Sequence, residues 1–256
     1  MVQSVGRPSF LWLLSEPSRA LLEIGASYPF SSLFTKTNKE GDGHPVMVVP
    51  GFMGSDTSTV ILRKFITNLG YDTYDWGLGR NLGKVEYIEL LIERLDEIYN
   101  KTGKQISLVG WSLGGVFARQ LAKERPDIIR QVITLGSPFG GLAEPNNASW
   151  AYTLITGGKK VKEISDIFLA NVPLPAPVPT TAIYSKEDGI VQWQTCMERI
   201  EDKLHQNIQV RGSHIGLGAN PSVLSIIADR LKFSKNNWSK FEPKGLLKNK
   251  ILFPSL

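Results

Sequence analysis

The sequence predicts an α/β fold: a mainly parallel sheet of about six strands with helices on both faces. Two observations support this prediction. After about residue 45, short apolar runs alternate with amphipathic stretches, which is typical of strands and helices that follow one another along the chain. One apolar run also leads directly into a serine between two glycines, the signature of a sharp turn from a strand into a helix.

The predicted strands cover six apolar runs: 45–49, 71–76, 105–109, 131–135, 181–184 and 208–210. Between these runs, apolar residues recur at helical spacing from Ile88 to Tyr99, and again from Val223 to Leu231 after an Asn220-Pro221 start. A helical region is expected over 10–24, and a polar, turn-rich link over 35–43.

The length of 256 residues fits one large domain, 1–256. Within it we expect a helical extension over 1–44, a short helical lid or cap insertion over 142–179 and a basic, apolar tail over 232–256. The insertion is predicted because about 44 residues separate the fourth and fifth strands. Its apolar residues suit a cover over the carboxyl ends of the strands, although patching the edge of the core is an equally open reading.

The net charge of +5 lies in the tail, which holds six lysines and one glutamate. The body is therefore neutral and carries no basic face for nucleic acid. We expect the tail's apolar residues to pack on the body, with peripheral contact to an anionic membrane as the alternative. A single cysteine excludes an intramolecular disulfide, and no secretory signal or long apolar span is visible, so we predict a cytoplasmic protein.

The predicted turn at Gly110-Trp111-Ser112-Leu113-Gly114 places Ser112 where it can act as a nucleophile. A residue at so abrupt a turn has a strained backbone, and its neighbours two before and two after must be glycines to avoid collision. We therefore expect Ser112 to stand at the carboxyl end of the sheet.

A serine hydroxyl needs a base within hydrogen-bond reach, and three histidines are available. His44 precedes the first strand and so lies at the amino end of the sheet, and His205 lies in a polar stretch that predicts a surface position. His214 follows the last strand in a glycine-rich loop at the carboxyl end. We therefore predict His214 as the base.

The base needs a carboxylate that holds its tautomer, expected between serine and histidine in the chain and just after a strand. Asp188 meets both conditions because it follows the strand at 181–184. Glu187 is a neighbouring alternative, and Asp166 in the insertion is a more distant one.

The developing oxyanion needs two backbone N–H donors. One is expected from Leu113, directly after the serine. The other is expected from the loop after the first strand, Pro50-Gly51-Phe52-Met53-Gly54, with Phe52 as the first choice and Met53 as the second.

Further side chains are candidates for contact with a substrate because they flank these loops or belong to the insertion. They are Met53, Arg80, Asn81, Trp111, Phe139 and Trp150. For Arg80 and Asn81 the alternative is a plain glycine-rich crossover.

Together these segments resemble an α/β-hydrolase of the bacterial lipase and esterase type. The resemblance covers about residues 45–231 and rests on Pro50-Gly51-Phe52-Met53-Gly54-Ser55, Gly110-Trp111-Ser112-Leu113-Gly114-Gly115, Leu135-Gly136-Ser137-Pro138-Phe139-Gly140-Gly141, Ser185-Lys186-Glu187-Asp188-Gly189-Ile190-Val191 and Gly212-Ser213-His214. It implies a nucleophile, acid and base at Ser112, Asp188 and His214, and an oxyanion hole at Phe52 and Leu113. The chain departs from many members in carrying Pro50 where a histidine often stands, and in lacking two leading antiparallel strands.

The expected function is hydrolysis of a carboxylic ester with a moderately apolar acyl or alcohol part, on a small-molecule or lipid substrate. An acyltransferase or thioesterase would use the same residues, and a non-catalytic binding protein of the same fold is a third possibility. No cofactor or metal is expected, because three scattered histidines and one cysteine offer no ligand spacing.

Overall fold

The computed structural model describes residues 7–141, 170–243 and 252–255. Within these ranges six strands form one sheet: β1 (Pro45–Val49), β2 (Asp72–Tyr74), β3 (Ile106–Trp111), β4 (Ile129–Leu135), β5 (Thr180–Ser185) and β6 (His205–Val210). Their order is β2-β1-β3-β4-β5-β6, and all neighbours are parallel. The predicted parallel sheet is confirmed, with β1 at its predicted bounds and the others shifted by up to about three residues at an end.

The described ranges contain five helices with defined bounds: α1 (Phe10–Thr37), α2 (Val60–Asn68), α3 (Tyr87–Thr102), α4 (Leu113–Glu124) and α5 (Pro221–Leu231). Successive side chains of β1 point to opposite faces of the sheet. Val46 and Val48 pack in a core with α2 and α5, whereas Met47 and Val49 pack with α3 and α4. Helices therefore lie on both faces, as predicted.

Helix α1 is longer than the expected 10–24, and it continues through Pro29 into the region predicted as a link. Packing explains the difference. Phe30 and Phe34 stack 5.0 Å apart and approach Phe65 of α2 at 6.4 Å and 6.0 Å between ring centroids. These contacts stabilise the helical conformation beyond the predicted end at residue 24.

The predicted insertion is described only at its end, because 142–169 lie outside the described residues, together with Trp150 and Asp166. In the returning segment, Val172, Ala176 and Val178 are each 2% exposed or less and join the core beside α3 and α4. This part patches the edge of the core. Whether the rest forms a lid stays a prediction.

The described part of the tail packs on the body. Phe241 and Phe253 are buried with their rings 5.3 Å apart, and the Phe241 amide and carbonyl both bond the side chain of Gln206. Peripheral membrane contact through the tail stays a prediction. Among the described residues, no helix combines the length and the apolar character that crossing a membrane requires.

The topology also fixes where a site can form. The chain runs from β1 outward to β2 and then returns to β3 on the other side of β1. In open parallel sheets, ligands bind at the carboxyl ends of the strands where the order reverses in this way. The loops after β1 and β3 meet at this point.

Candidate active site

Ser112 occupies a strained turn between β3 and α4. Its φ of 53° and ψ of −123° lie outside the regions that L-residues prefer. A Cβ on Gly110 would lie 2.3 Å from the Cα of Gly115, and one on Gly114 would lie 2.3 Å from the carbonyl oxygen of Val49. The expected strain and the need for both glycines are therefore confirmed.

The structure brings together the three side chains singled out in the sequence. Nε2 of His214 lies 3.0 Å from Oγ of Ser112, and Nδ1 of His214 lies 2.6 Å from Oδ2 of Asp188. The other oxygen of Asp188 accepts the amides of Ile190 and Val191 at 2.8 Å and 2.7 Å. Asp188, rather than its neighbour Glu187, is the partner of the histidine.

Burial and charge act in opposite directions on the imidazole. His214 is 6% exposed, and this burial lowers its pKa. The charge of Asp188, its hydrogen bond and the charge of Glu16 oppose that effect, and the pKa of His214 is raised above its usual value. The ring at this end of the sheet therefore accepts a proton more readily than a free histidine does.

The other two histidines lie elsewhere. His44 is at the amino end of the sheet, as predicted, where its ring contacts Asp42 and Ser107. His205 is not a surface residue as expected: it begins β6, is 4% exposed and reaches the carbonyl oxygen of Ala176 at 2.9 Å. The prediction failed because a polar stretch was paired into the sheet against β5.

The predicted oxyanion donors flank Ser112. Leu113 is the first residue of α4, so its N–H has no acceptor within the helix. The loop after β1 touches the turn, since a Cβ on Gly51 would lie 3.1 Å from the Cβ of Ser112. The second choice, Met53, is wrong as a donor because its N–H donates to the Asn81 carbonyl at 2.7 Å. Phe52 stays the predicted donor.

Asn81 supports this loop and does not face a substrate. Its side chain is fully buried and donates to the Pro50 carbonyl at 2.8 Å, and its own amide donates to the Gly54 carbonyl at 2.8 Å. The expectation of substrate contact is therefore wrong for Asn81. Arg80 and Met53 are exposed, and contact with a substrate stays a prediction for both.

Phe139 and Trp111 also have structural roles. Phe139 is 1% exposed in a cluster with Val116, and the Arg119 guanidinium lies 3.8 Å from its ring centroid, so it is a core residue and does not line an open pocket. Trp111 donates through Nε1 to the His214 carbonyl at 3.1 Å and thereby fixes the loop of that histidine. Direct substrate contact by Trp111 stays a prediction.

Comparisons with known proteins agree with this architecture. A family model described as a PGAP1-like alpha/beta domain matches residues 61–148. Among solved structures, Aspergillus fumigatus lipase B is 17% identical with a TM-score of 0.57, over 77% of this chain and 54% of the lipase. A Bacillus licheniformis lipase in mature form is 16% identical with a TM-score of 0.54, over 74% and 92%. These likenesses show that the chain has the α/β-hydrolase fold.

One curated protein that this chain resembles is the pimeloyl-[acyl-carrier protein] methyl ester esterase of Aliivibrio salmonicida (strain LFI1238). The two are 30% identical over 111 residues, or 42% of this chain. The match spans only 40% of the length of the esterase.

Sequence reasoning missed Gly136, which directly follows β4 and has a φ of 55°. A Cβ at this position would lie 3.1 Å from Nδ1 of His214 and 3.2 Å from Oδ2 of Asp188. The glycine therefore gives the His–Asp pair its space. Its place directly after a strand, at the same end as Ser112, was the signal available in the sequence.

Two carboxylates of α1 also escaped notice. Glu16 accepts the amides of Gly189 and His214 through Oε1, both at 2.9 Å, and the amide of Ile215 through Oε2 at 3.0 Å. Glu23 accepts the amide and hydroxyl of Ser213, both at 2.8 Å.

No group of three or more histidine, cysteine or carboxylate side chains in the described part of the chain is placed to hold a metal ion.

Proposed function

We propose that this protein is a serine hydrolase that cleaves carboxylic esters with a moderately apolar acyl or alcohol part. The observation that carries the proposal is the continuous hydrogen-bond chain from Asp188 through His214 to Ser112. The strained backbone of the serine and the raised pKa of the histidine support it further. Nucleophile, base and orienting acid in such an arrangement define acyl-transfer chemistry.

In the first half of the proposed reaction, Oγ of Ser112 attacks the ester carbonyl and its proton passes to Nε2 of His214. The carbonyl π electrons move to the oxygen, and the amides of Phe52 and Leu113 stabilise the resulting oxyanion. When the intermediate collapses, the bond to the alcohol oxygen breaks and His214 returns the proton to the leaving alcohol. An acyl group then remains on Ser112.

In the second half, water attacks the acyl-enzyme and gives its proton to His214. Collapse of the second intermediate returns that proton to Oγ of Ser112 and releases the carboxylic acid. Asp188 holds Nδ1 protonated throughout, so that Nε2 always faces the reacting atoms. The relative and the solved lipases are named for ester cleavage, which supports an ester as the substrate.

The direct test is a panel of p-nitrophenyl esters of increasing acyl length with wild type and Ser112→Ala. We expect kcat/KM to fall by about 10³-fold or more in the variant on every ester that the wild type cleaves. A fluorophosphonate should label the wild type on the peptide that contains Ser112. Ser107→Ala is the matched control, because Ser107 also contacts a histidine. This variant should still be labelled on Ser112.

Turnover that survives in Ser112→Ala would overturn the proposal. Absence of both turnover and labelling in the wild type would favour a binding protein of this fold. If an added alcohol or thiol captures most of the acyl group ahead of water, the protein is an acyltransferase. If it cleaves thioesters in preference to esters, it is a thioesterase.

A further inference from the structure

The exposed side of α1 carries large apolar side chains from its first turn to near its end. Seven of its side chains are between 62% and 76% exposed: Phe10, Leu11, Leu14, Leu21, Leu22, Tyr28 and Leu33. At about 3.6 residues per turn they occupy one arc of roughly 140°, opposite the buried Glu16, Ala20 and Ser27. We call this arc the outer face. Exposed Ser18, Gly25, Ser32 and Lys36 interrupt this arc, but seven large exposed apolar side chains on one helix face still differ from the single exposed apolar residues of an ordinary surface.

Charge is distributed unequally around α1. Both of its carboxylates, Glu16 and Glu23, point inward and bond the loops at the active site. The cations of the helix are Arg19, which pairs with Glu16, and Lys36 in the last turn. Arg7 and Lys39 flank the two ends. The outer face therefore has the composition of a surface helix that meets an apolar phase with negative charge at its boundary.

We propose that the outer face of α1 docks in the plane of an anionic lipid surface. An arc of this width exceeds the narrow seam by which two helices pair, and α1 is about 40 Å long, enough to lie along a bilayer surface. Burial of seven large apolar side chains supplies the attraction, and the cations at the ends favour anionic headgroups.

Docking in this orientation would place the active-site loops about one helix diameter from the lipid, on the other side of α1. The amino-terminal half of α1 bonds the loops of Asp188 and His214, and the neighbouring Ile215 is 43% exposed. Apolar esters dissolved in the lipid would then be held near the protein. This consequence rests on the proposed function, whereas the docking itself does not.

The test is sedimentation with vesicles of phosphatidylcholine containing phosphatidylglycerol, and with vesicles of phosphatidylcholine alone. It uses Ser112→Ala as the parent, so that binding is measured without turnover. On this parent, Leu14→Gln, Leu21→Gln and Leu22→Gln together should lower the partition coefficient by about tenfold or more, because apolar contact is lost while helix propensity is kept. The matched control combines Leu90→Gln, Leu174→Gln and Ile200→Gln, which are exposed apolar residues outside α1 and should leave binding unchanged.

Stronger binding to the anionic vesicles, lost in the α1 variant alone, would support the proposal. No binding to either vesicle, or equal loss in both variants, would overturn it. Binding that the α1 variant retains would assign membrane contact to another surface. If the protein does not bind vesicles but is a dimer in solution, and the α1 variant is a monomer, a second copy of this chain occupies the outer face.

A second inference concerns the inner face of α1. Glu16 bridges two loops. It accepts hydrogen bonds from the amide of Gly189, the residue after Asp188, and from the amide of His214. The fit is tight: a Cβ on Gly189 would lie 2.5 Å from the amide nitrogen of Leu13. The acid and base loops are thus joined through one carboxylate on α1.

Glu23 holds the same loop about two turns further along the helix. It bonds both the amide and the hydroxyl of Ser213, and that hydroxyl accepts the amide of Gly216 at 3.0 Å. A Cβ on Gly216 would overlap Oε2 of Glu23, at 1.4 Å. Glycine at this position is required for the carboxylate to enter.

We infer that Glu16 and Glu23 are positioning residues that hold His214 and Asp188 in register with Ser112. Neither touches the reacting atoms of the proposed reaction, on which this inference depends. Each acts through the backbone of the loops that carry the His–Asp pair. Removing a charged acceptor from such amides weakens their hydrogen bonds and lets the loop move.

Glu16→Gln tests this inference. We expect kcat on a soluble ester to fall by about ten- to a hundredfold with little change in KM, because an amide cannot accept from all three N–H groups. The charged groups around the imidazole are Asp188, Glu16 and, beside Glu16, Arg19. Loss of the Glu16 charge should therefore also move the acid limb of the kcat/KM profile to lower pH.

Glu23→Gln is the matched control. It should lower kcat through the loop but leave the acid limb in place, since the Glu23 carboxylate bonds Ser213 and not the histidine. The pH midpoint does not depend on the amount of folded enzyme, so a loss of stability does not obscure the result. Unchanged kcat in Glu16→Gln, or equal pH profiles for both variants, would contradict the inference. A wild type inactive on every ester would instead remove the proposed function.

Discussion

Two hydrogen-bonded Ser–His–Asp sets lie at opposite ends of one strand, β3. At the carboxyl end, His214 joins Ser112 and Asp188 at 3.0 Å and 2.6 Å. At the amino end, His44 contacts Oγ of Ser107 at 2.8 Å through Nε2 and Oδ1 of Asp42 at 2.5 Å through Nδ1. Judged by these distances alone, the two sets are alike.

The surroundings of the two sets differ in access and backbone. Ser107 is fully buried within β3, whereas Ser112 is partly exposed at a strained turn beside the first N–H of a helix. A carbonyl carbon can approach only the second serine. A hydrogen-bonded serine, histidine and aspartate are therefore not enough to make the serine a nucleophile. The strained turn and the nearby N–H donors are also needed.

The two imidazoles also differ in proton affinity. Burial lowers the pKa of His44 to about 4, helped by the charge of Arg130 and only partly opposed by Asp42. Burial also lowers the pKa of His214, but the charge of Asp188, its hydrogen bond and the charge of Glu16 outweigh that effect, and the pKa is raised. The second lesson is that the charges beyond the first carboxylate decide whether a buried histidine can act as a base.

The largest expected effect is on catalysis. His214→Ala should lower kcat/KM on a soluble ester by about 10³-fold or more, because the serine loses its base. His44→Gln should change kcat/KM of the folded enzyme by less than about threefold, since Ser107 is closed to substrate. Steady-state kinetics normalised to folded protein measure both. A comparable loss in the two variants would make the distinction between the ends untenable.

The next effect is on stability. The folded-state pKa of His44, about 4, lies below its ordinary value of about 6.5, so the neutral ring contributes stability above pH 6.5 that is lost as the pH falls toward 4. The full contribution is about 3 kcal/mol. Urea unfolding of wild type and His44→Gln across this range should give a difference that shrinks with falling pH. The contribution of His214 to the pH dependence of stability has the opposite sign, because its pKa is raised. It is the same in both proteins and cancels in the difference. A difference that is constant with pH would contradict this assignment.

The contrast between the two ends also separates what the sequence could predict from what it could not. The strands and the residues Ser112, Asp188 and His214 were recognised because periodicity and turn chemistry are local patterns. Glu16 and Glu23 bond groups about 170 to 200 positions away, and nothing near them in the sequence marks that contact. Their roles depend on where α1 packs.

Burial was also misjudged where tertiary packing overrides local character. His205 lies in a polar stretch but pairs into the sheet, and Phe139 adjoins a glycine-rich loop but sits beneath Arg119. Asn81 looked like a surface ligand, yet it is fully buried and braces the loop after β1. Each error concerns a side chain whose partners come from distant segments.

A smaller effect is expected at the glycines that accompany the two His–Asp pairs. Gly136→Ala should lower kcat by about ten- to a hundredfold, because its Cβ would press on the His214–Asp188 pair. Gly43 has a similar φ of 66°, but a Cβ there would meet only Nζ of Lys104 at 3.7 Å. Gly43→Ala should therefore cost about 1 kcal/mol of backbone strain with kcat unchanged. Kinetics and thermal melting of both variants give the comparison, and equal kcat values would refute it.

The smallest expected effect is a displacement of two titrations in opposite directions. Because His214 must be neutral to accept the proton and its pKa is raised, the acid limb of kcat/KM should have its midpoint above the ordinary histidine value of about 6.5. The NMR titration of His44 should instead centre near pH 4. Raising the ionic strength should move the His214 midpoint little, because Asp188 and Glu16 are buried and their charges are poorly screened. A limb below pH 6 would mean that desolvation outweighs these two carboxylates, and the contrast between the two ends of β3 would then lie in access and backbone geometry alone.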